Sequence, residues 1–233
     1  MNNLSNSVPH SHSGGAHLVV VATRFNLPNV MLLLLLSFAT ACTPSIDLKK
    51  MDTALAKIAV HAQNFPPTFS SATEREQVEK DLKAAIKVLD VAVAQHPDDP
   101  ELLFRDGFAN AMGQHLDYPD CDQKFINAFE RFLKLKPNDR NGNFLYGGFL
   151  AGTATRRDES ISYLNKAIAL GEVDAHYTLA FVYLTQQNKE KAIEHFKEYA
   201  KAYPDEAAAI DAKIASFKDA KFNIINKAPP FYK

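Results

Sequence analysis

Val173–Glu206, VDAHYTLAFVYLTQQNKEKAIEHFKEYAKAYPDE, constrains the fold more than any other stretch of this chain. Its apolar spacing predicts two short helices, near Asp174–Gln186 and Lys189–Ala202, with Pro204 closing the unit. Two helices this short cannot bury their apolar faces on each other alone. The unit therefore implies neighbours of the same kind, stacked into a repeat domain.

Weaker units precede it. Apolar residues at spacings of three and four predict a helix over Ile46–Asn64, through Leu48, Met51, Leu55, Ile58 and Ala62. Pro66 and Pro67 break it. Thr73 with Glu76 reads as a capping box opening a helix that runs to Gln95. Further helices are expected over Glu101–Met112, Asp122–Leu135, Asn143–Ala151, Glu159–Leu170 and Asp205–Phe217. Prolines follow the second helix of a pair at Pro97, Pro137 and Pro204, and a proline there cannot continue a helix. These fixed boundaries favour a stacked array over a generic helical bundle.

Those residues resemble the tetratricopeptide repeat family. The last unit supplies its pattern with Leu179, Ala180, Tyr183, Ala192, Phe196 and Pro204, and departs from it at Tyr199. The unit over 141–172 supplies Gly147, Gly148, Ala151, Ser160, Leu164 and Ala167 but lacks the closing proline. The unit over 100–138 supplies Gly107, Phe125, Phe129 and Pro137, and departs at Asp106 and Phe132. Leu89, Ala92 and Pro97 match a second helix before that. The resemblance implies an all-α superhelical array of antiparallel helix pairs, and a scaffold that binds proteins and is not an enzyme.

In that family the first helices of successive pairs line a concave face. Carried onto this sequence, the positions are Phe104 and Phe108, Leu145 and Phe149, and Tyr177 and Phe181. Each pair is four residues apart, hence on one helix face. Together they would make an apolar groove for an extended peptide or a helix of another protein. The bland alternative is that the first helix, or the loop 113–120, covers these rings and makes them core. Gly147 and Gly148 read as close helix contacts.

The amino-terminal end is different material. Residues 1–42 hold no acidic side chain, one Arg (Arg24) and three of the eight His. The run Val30–Ala41, VMLLLLLSFATA, is too short for a bilayer span, which takes about 20 residues. It fits the apolar region of a signal peptide. Ala39, Thr40 and Ala41 before Cys42 resemble the lipobox of bacterial lipoproteins, which implies cleavage before Cys42 and a lipid on its sulfur. The expected organisation is then a signal peptide at 1–41, a lipid-anchored tether at 42–47, a degenerate helical pair at 48–99, repeats with a capping helix at 100–217 and a flexible tail at 218–233. The expected location is the outer membrane, facing the periplasm. A plain secretory signal, leaving a free periplasmic protein, is the alternative.

Composition excludes more than it selects. The net charge of −1 and pI of about 6.7 supply no field for nucleic acid. With Cys42 lipidated, Cys121 has no partner for a disulfide. It is placed in a polar loop between Asp120 and Asp122, whose carboxylates should raise its thiol pKa. His176 and His195 read as surface or packing residues, and TRRDES at 155–160 as a solvated loop. No cofactor motif, metal-ligand spacing or nucleophile motif stands out. The favoured function is a non-enzymatic scaffold or assembly adaptor of the bacterial cell envelope. A structural subunit of an envelope complex, or a small-ligand carrier or enzyme with an enclosed cavity, are the alternatives.

Overall fold

The computed structural model describes residues 46–219, all of them within one compact unit. Cys42, the segment 1–41 and the tail beyond 219 lie outside the described residues.

Helices follow one another as antiparallel pairs: α1 (Leu48–Ala62) with α2 (Ala72–Gln95), α3 (Pro100–His115) with α4 (Cys121–Leu135), α5 (Arg140–Gly152) with α6 (Arg157–Ala169), and α7 (Asp174–Thr185) with α8 (Lys189–Ala202). A 3-10 turn, Pro204–Glu206, leads into α9 (Ala207–Asp219), which closes the array against α8. The second helix of each pair also packs on the first helix of the next. Among first helices, α1 packs on α3 and α5 on α7.

The sequence sets these boundaries through short polar caps. Asp99 and Asp139 each stand two residues after a boundary proline, and each caps the helix that follows. Asp99 Oδ1 accepts from the Glu101 and Leu102 amides, and Asp139 Oδ1 from the Gly142 amide at 2.7 Å. At the third boundary Glu206 holds the equivalent place. It accepts the Tyr199 hydroxyl, and the chain takes a 3-10 turn before α9. The start of α2 departs from the expected Thr73–Glu76 box. Ser71, in extended backbone, accepts from the Glu74 amide, while the Glu74 carboxylate accepts from the Ser70 amide and hydroxyl. Thr73 is already inside the first turn, so it cannot serve as the cap.

Glycines set how closely the helices of a pair approach. A Cβ on Gly107 would lie 2.4 Å from the Phe129 ring, and one on Gly147 would meet Leu164 at 2.9 Å. Only a bare Cα leaves α3 this close to α4, and α5 this close to α6. The expected contact at Gly147 is therefore present.

Three apolar clusters make the core. One joins α1, α2 and α3 with Cys121, one joins α3, α4 and α5, and one runs from α5 to α9. The middle cluster is a stack of rings: Phe125 on Phe129 at 4.5 Å, Phe125 on Phe149 at 4.0 Å and Phe129 against Tyr146 at 6.3 Å. Such pairs contribute about 0.5–1.5 kcal/mol each beyond the area they bury. Cys121 is not in a polar loop. It is the first residue of α4, buried against Gly113 and Ile86. Burial is the main cause that pushes its thiol upward; Asp122 adds less, and Lys124 opposes.

The stretch 155–160 is likewise more than a solvated loop. α6 starts at Arg157, and Arg156 reaches back to Glu130 of α4 at 3.1 Å and to Glu159 at 2.7 Å. Glu130 also accepts the Tyr146 hydroxyl at 2.9 Å. This small network ties α4, α5 and the start of α6 together where α4 and α5 otherwise touch sparingly.

Candidate protein-binding face

The first helices α3, α5 and α7 carry the six side chains expected to line a groove. Phe104, Phe108, Phe149, Tyr177 and Phe181 are half-buried. Leu145 departs from the expectation. It is 5% exposed and packed in the middle cluster with Phe125 and Tyr146, because the small residues of α5 draw that helix close to its neighbours.

Each ring is held from behind. Phe104 lies 5.6 Å from Phe129 and 5.4 Å from Phe132, both on α4. Phe149 stacks on Phe125. Tyr177 and Phe181 lie 5.1 Å apart and both meet Phe196 of α8 edge-on. Phe104, Leu145 and Phe149 share the middle cluster, Phe108 joins the amino-terminal one, and Tyr177 and Phe181 join the last. The six are therefore anchored in three successive cores, not gathered into one.

The two ends of this face differ. Between α1 and α3 there is a surface pocket of about 520 Å³ with Leu55, Ala56, Ala59, Val60, Phe104 and Phe108 in its walls. Val60 is 71% exposed, unusual for a large aliphatic side chain. Arg105 forms the rim. Its guanidinium donates to both Asp52 oxygens at 2.6 and 2.9 Å and to Glu101 at 2.9 Å, so it pins α1 against α3. Thus α1 flanks the Phe104–Phe108 end and leaves an opening there. At the other end Lys213 of α9 lies over the Tyr177 ring at 5.7 Å and the Phe181 ring at 5.3 Å. Cation–π contacts of this kind contribute about 0.5–1 kcal/mol at exposed sites.

The polar groups nearby are structural. Nδ1 of His61 meets the Thr68 carbonyl and Nδ1 of His115 the Ala62 carbonyl, while Nδ1 of His176 meets that of His195 at 2.9 Å. Local spacing gives no sign of this last pair. The hairpin of the last unit does, because folding at Gln187 lays the start of α7 against the middle of α8. The hydroxyls of Ser160 and Thr185 bond to carbonyls of their own helices. Among the described residues no three His, Cys, Asp or Glu side chains gather to hold a metal ion, and no helix is long and apolar enough to cross a membrane. The face offers rings for binding and no pairing of nucleophile with base.

Stacked antiparallel pairs with half-buried rings on their first helices define a class of helical repeat protein. Within it, residues 173–206 match the family model described as tetratricopeptide repeat. The fold is an all-α, tetratricopeptide-repeat-like array of paired antiparallel helices. Two crystal structures of MamA are similar in shape. One has a TM-score of 0.49 at 21% identity over 66% of this chain, the other 0.48 at 17% over 75%, and each is covered for 100% of its own length. A thermophilic TPR protein of Thermus thermophilus gives a TM-score of 0.41 at 13% identity, over 71% of this chain and 97% of its own. No curated protein sequence matches this one significantly.

Proposed function

We propose that this chain is a protein-binding scaffold of a bacterial cell envelope, which holds a segment of another protein against the first-helix face. The observation that supports this best is the row of half-buried rings, Phe104, Phe108, Phe149, Tyr177 and Phe181, on successive first helices. Aromatic anchors fixed from behind lose little side-chain freedom on binding, which is why they recur as binding hot spots. The partner's apolar residues would meet these rings, and the opening between α1 and α3 would take its bulkiest side chain. Leu145 supports the face from beneath.

The envelope assignment rests on the sequence Val30–Cys42. In this reading Cys42 carries the lipid, the chain faces the periplasm from the outer membrane, and several acyl chains make the anchor firm. Labelling cells with radioactive palmitate tests it. Label is expected in the wild type and absent in Cys42→Ala; equal label in both contradicts the anchor. Binding is tested separately, with the partner recovered by cross-linking and the purified domain. Phe149→Ala with Phe181→Ala is expected to weaken binding at least about tenfold, the usual loss when hot-spot rings are removed. The helical circular dichroism should be unchanged. Unweakened binding would contradict the face.

A further inference from the structure

We propose that His176 and His195 form a proton-operated latch: a shared Nδ1–H···Nδ1 hydrogen bond that fastens α7 to α8 and opens when both rings are protonated. The two Nδ1 atoms are 2.9 Å apart, a hydrogen-bond distance, with ring centroids 5.1 Å apart. That separation is close to the nitrogen–nitrogen distance plus two ring radii, so the nitrogens face each other nearly along the line of centres. A metal held by two imidazoles would instead sit at the apex of a bent angle, with further ligands, and among the described residues no third His, Cys, Asp or Glu is gathered with this pair.

Two neutral nitrogens at this distance need one proton between them. One ring is then the Nδ1–H tautomer and donates, and the other is the Nε2–H tautomer and accepts. A first added proton goes to Nε2 of the donor ring, and the bond becomes charge-assisted. A second has only Nδ1 of the acceptor to go to. That sets two N–H groups, each on a cation, against each other, and the bond is lost.

The surroundings make the second proton costly. Both rings are half-buried, and burial is the largest cause lowering each, with His176 adding to the effect on His195. Tyr183 of α7 stacks on His195 at 5.4 Å. Glu194 and Glu198 of α8 favour protonation, and Lys191 of α8 opposes it at His195. Among the described residues the charges acting on His176 all come from α8, and none from α5 or α6, which also pack on α7. Beyond α8, Glu206 is bonded by Tyr199, and Lys213 of α9 lies on the Tyr177 and Phe181 rings.

Groups lowered in the folded state add stability that is complete above the unfolded histidine value, about 6.5, and is lost as pH falls through the folded values. The latch should therefore loosen as pH falls below about 6.5. Tyr177 is next to His176, so opening would also disturb one end of the proposed binding face. That consequence rests on the proposed function; the latch does not.

Hydrogen exchange of the purified domain, corrected for intrinsic rate, tests the latch at pH 7.5 and 5.0. Amide protection in α7 and α8 of the wild type is expected to fall at least about tenfold, one pKa unit of coupling. In His195→Gln and in His176→Gln the fall should be within about twofold, because neither has a second ring to protonate. NMR of the imidazoles gives a second readout: in His176→Gln, His195 should move back toward its ordinary value. An equal loss of protection in wild type and both variants, or two rings titrating independently near their ordinary value, would overturn the latch.

Discussion

Asp106 lies in the core at a position where the repeat pattern departs from its usual residue. It is 7% exposed, and its nearest partner is Asn110, whose amide donates to it at 3.1 Å. Burial first, and Asp90 second, push its carboxyl up to about 6, against the pull of Lys124, Asn110 and Arg131. A raised carboxylate means that the folded state holds the proton more tightly than the unfolded chain. Stability contributed here is then highest below the unfolded value of about 4 and falls as pH rises through about 6. The shift corresponds to a penalty on the order of 3 kcal/mol at neutral pH. Asp106→Asn keeps an acceptor for Asn110 and removes the charge. It should raise the urea midpoint at pH 7.5 and leave it nearly unchanged at pH 4.5. Taking the difference from wild type at each pH cancels the opposite trend of the lowered histidines, His115 among them. The glycines give a second residue-scale contrast. Gly107→Ala drives a Cβ into the buried Phe129 ring and should cost about 1–3 kcal/mol. Gly152→Ala meets nothing within 4 Å at the end of α5 and should gain about 0.4–1 kcal/mol. Thermal midpoints of the two variants should move in opposite directions.

At the scale of elements, the proline boundaries explain both what the sequence discloses and what it hides. Pro97, Pro137 and Pro204 mark the ends of second helices, and the best-formed unit lies at 174–202 as its spacing predicts. The starts are harder to read, because Ser70, Ser71 and Thr73 are all chemically able to cap. Backbone geometry decides for Ser71, and periodicity carries no information about it. A readable signal is the Asp two places after each of the first two prolines. Asp139→Ala should cost about 1 kcal/mol, since it strips the Gly142 amide of its acceptor. The denaturant midpoint of the variant reads this. Contacts between elements were the least legible. Arg156 to Glu130 and His176 to His195 join different helices, and Cys121 is buried because Gly113 leaves room for its sulfur. None of these follows from the spacing of apolar residues along one helix. The six positions expected to line a groove were legible as residues of first helices through the family pattern. The burial of Leu145 was not, since it depends on how closely α5 is drawn in.

At the scale of the whole molecule, three successive cores and a chain of pairwise helix contacts make an array in which each pair leans on its neighbours. Such an array presents two unlike surfaces. One carries Phe104, Phe149, Tyr177 and Phe181, anchored from behind; α2 carries Val91, 54% exposed, on a second helix. If the first-helix face is where another protein lies, contact in cells must depend on position. A photo-crosslinking amino acid placed at Phe149, at Phe181 or at Val91 reads this directly. The account predicts the same defined adduct from Phe149 and from Phe181, and none from Val91. An adduct from Val91 alone, or no adduct from either first-helix position, would contradict it.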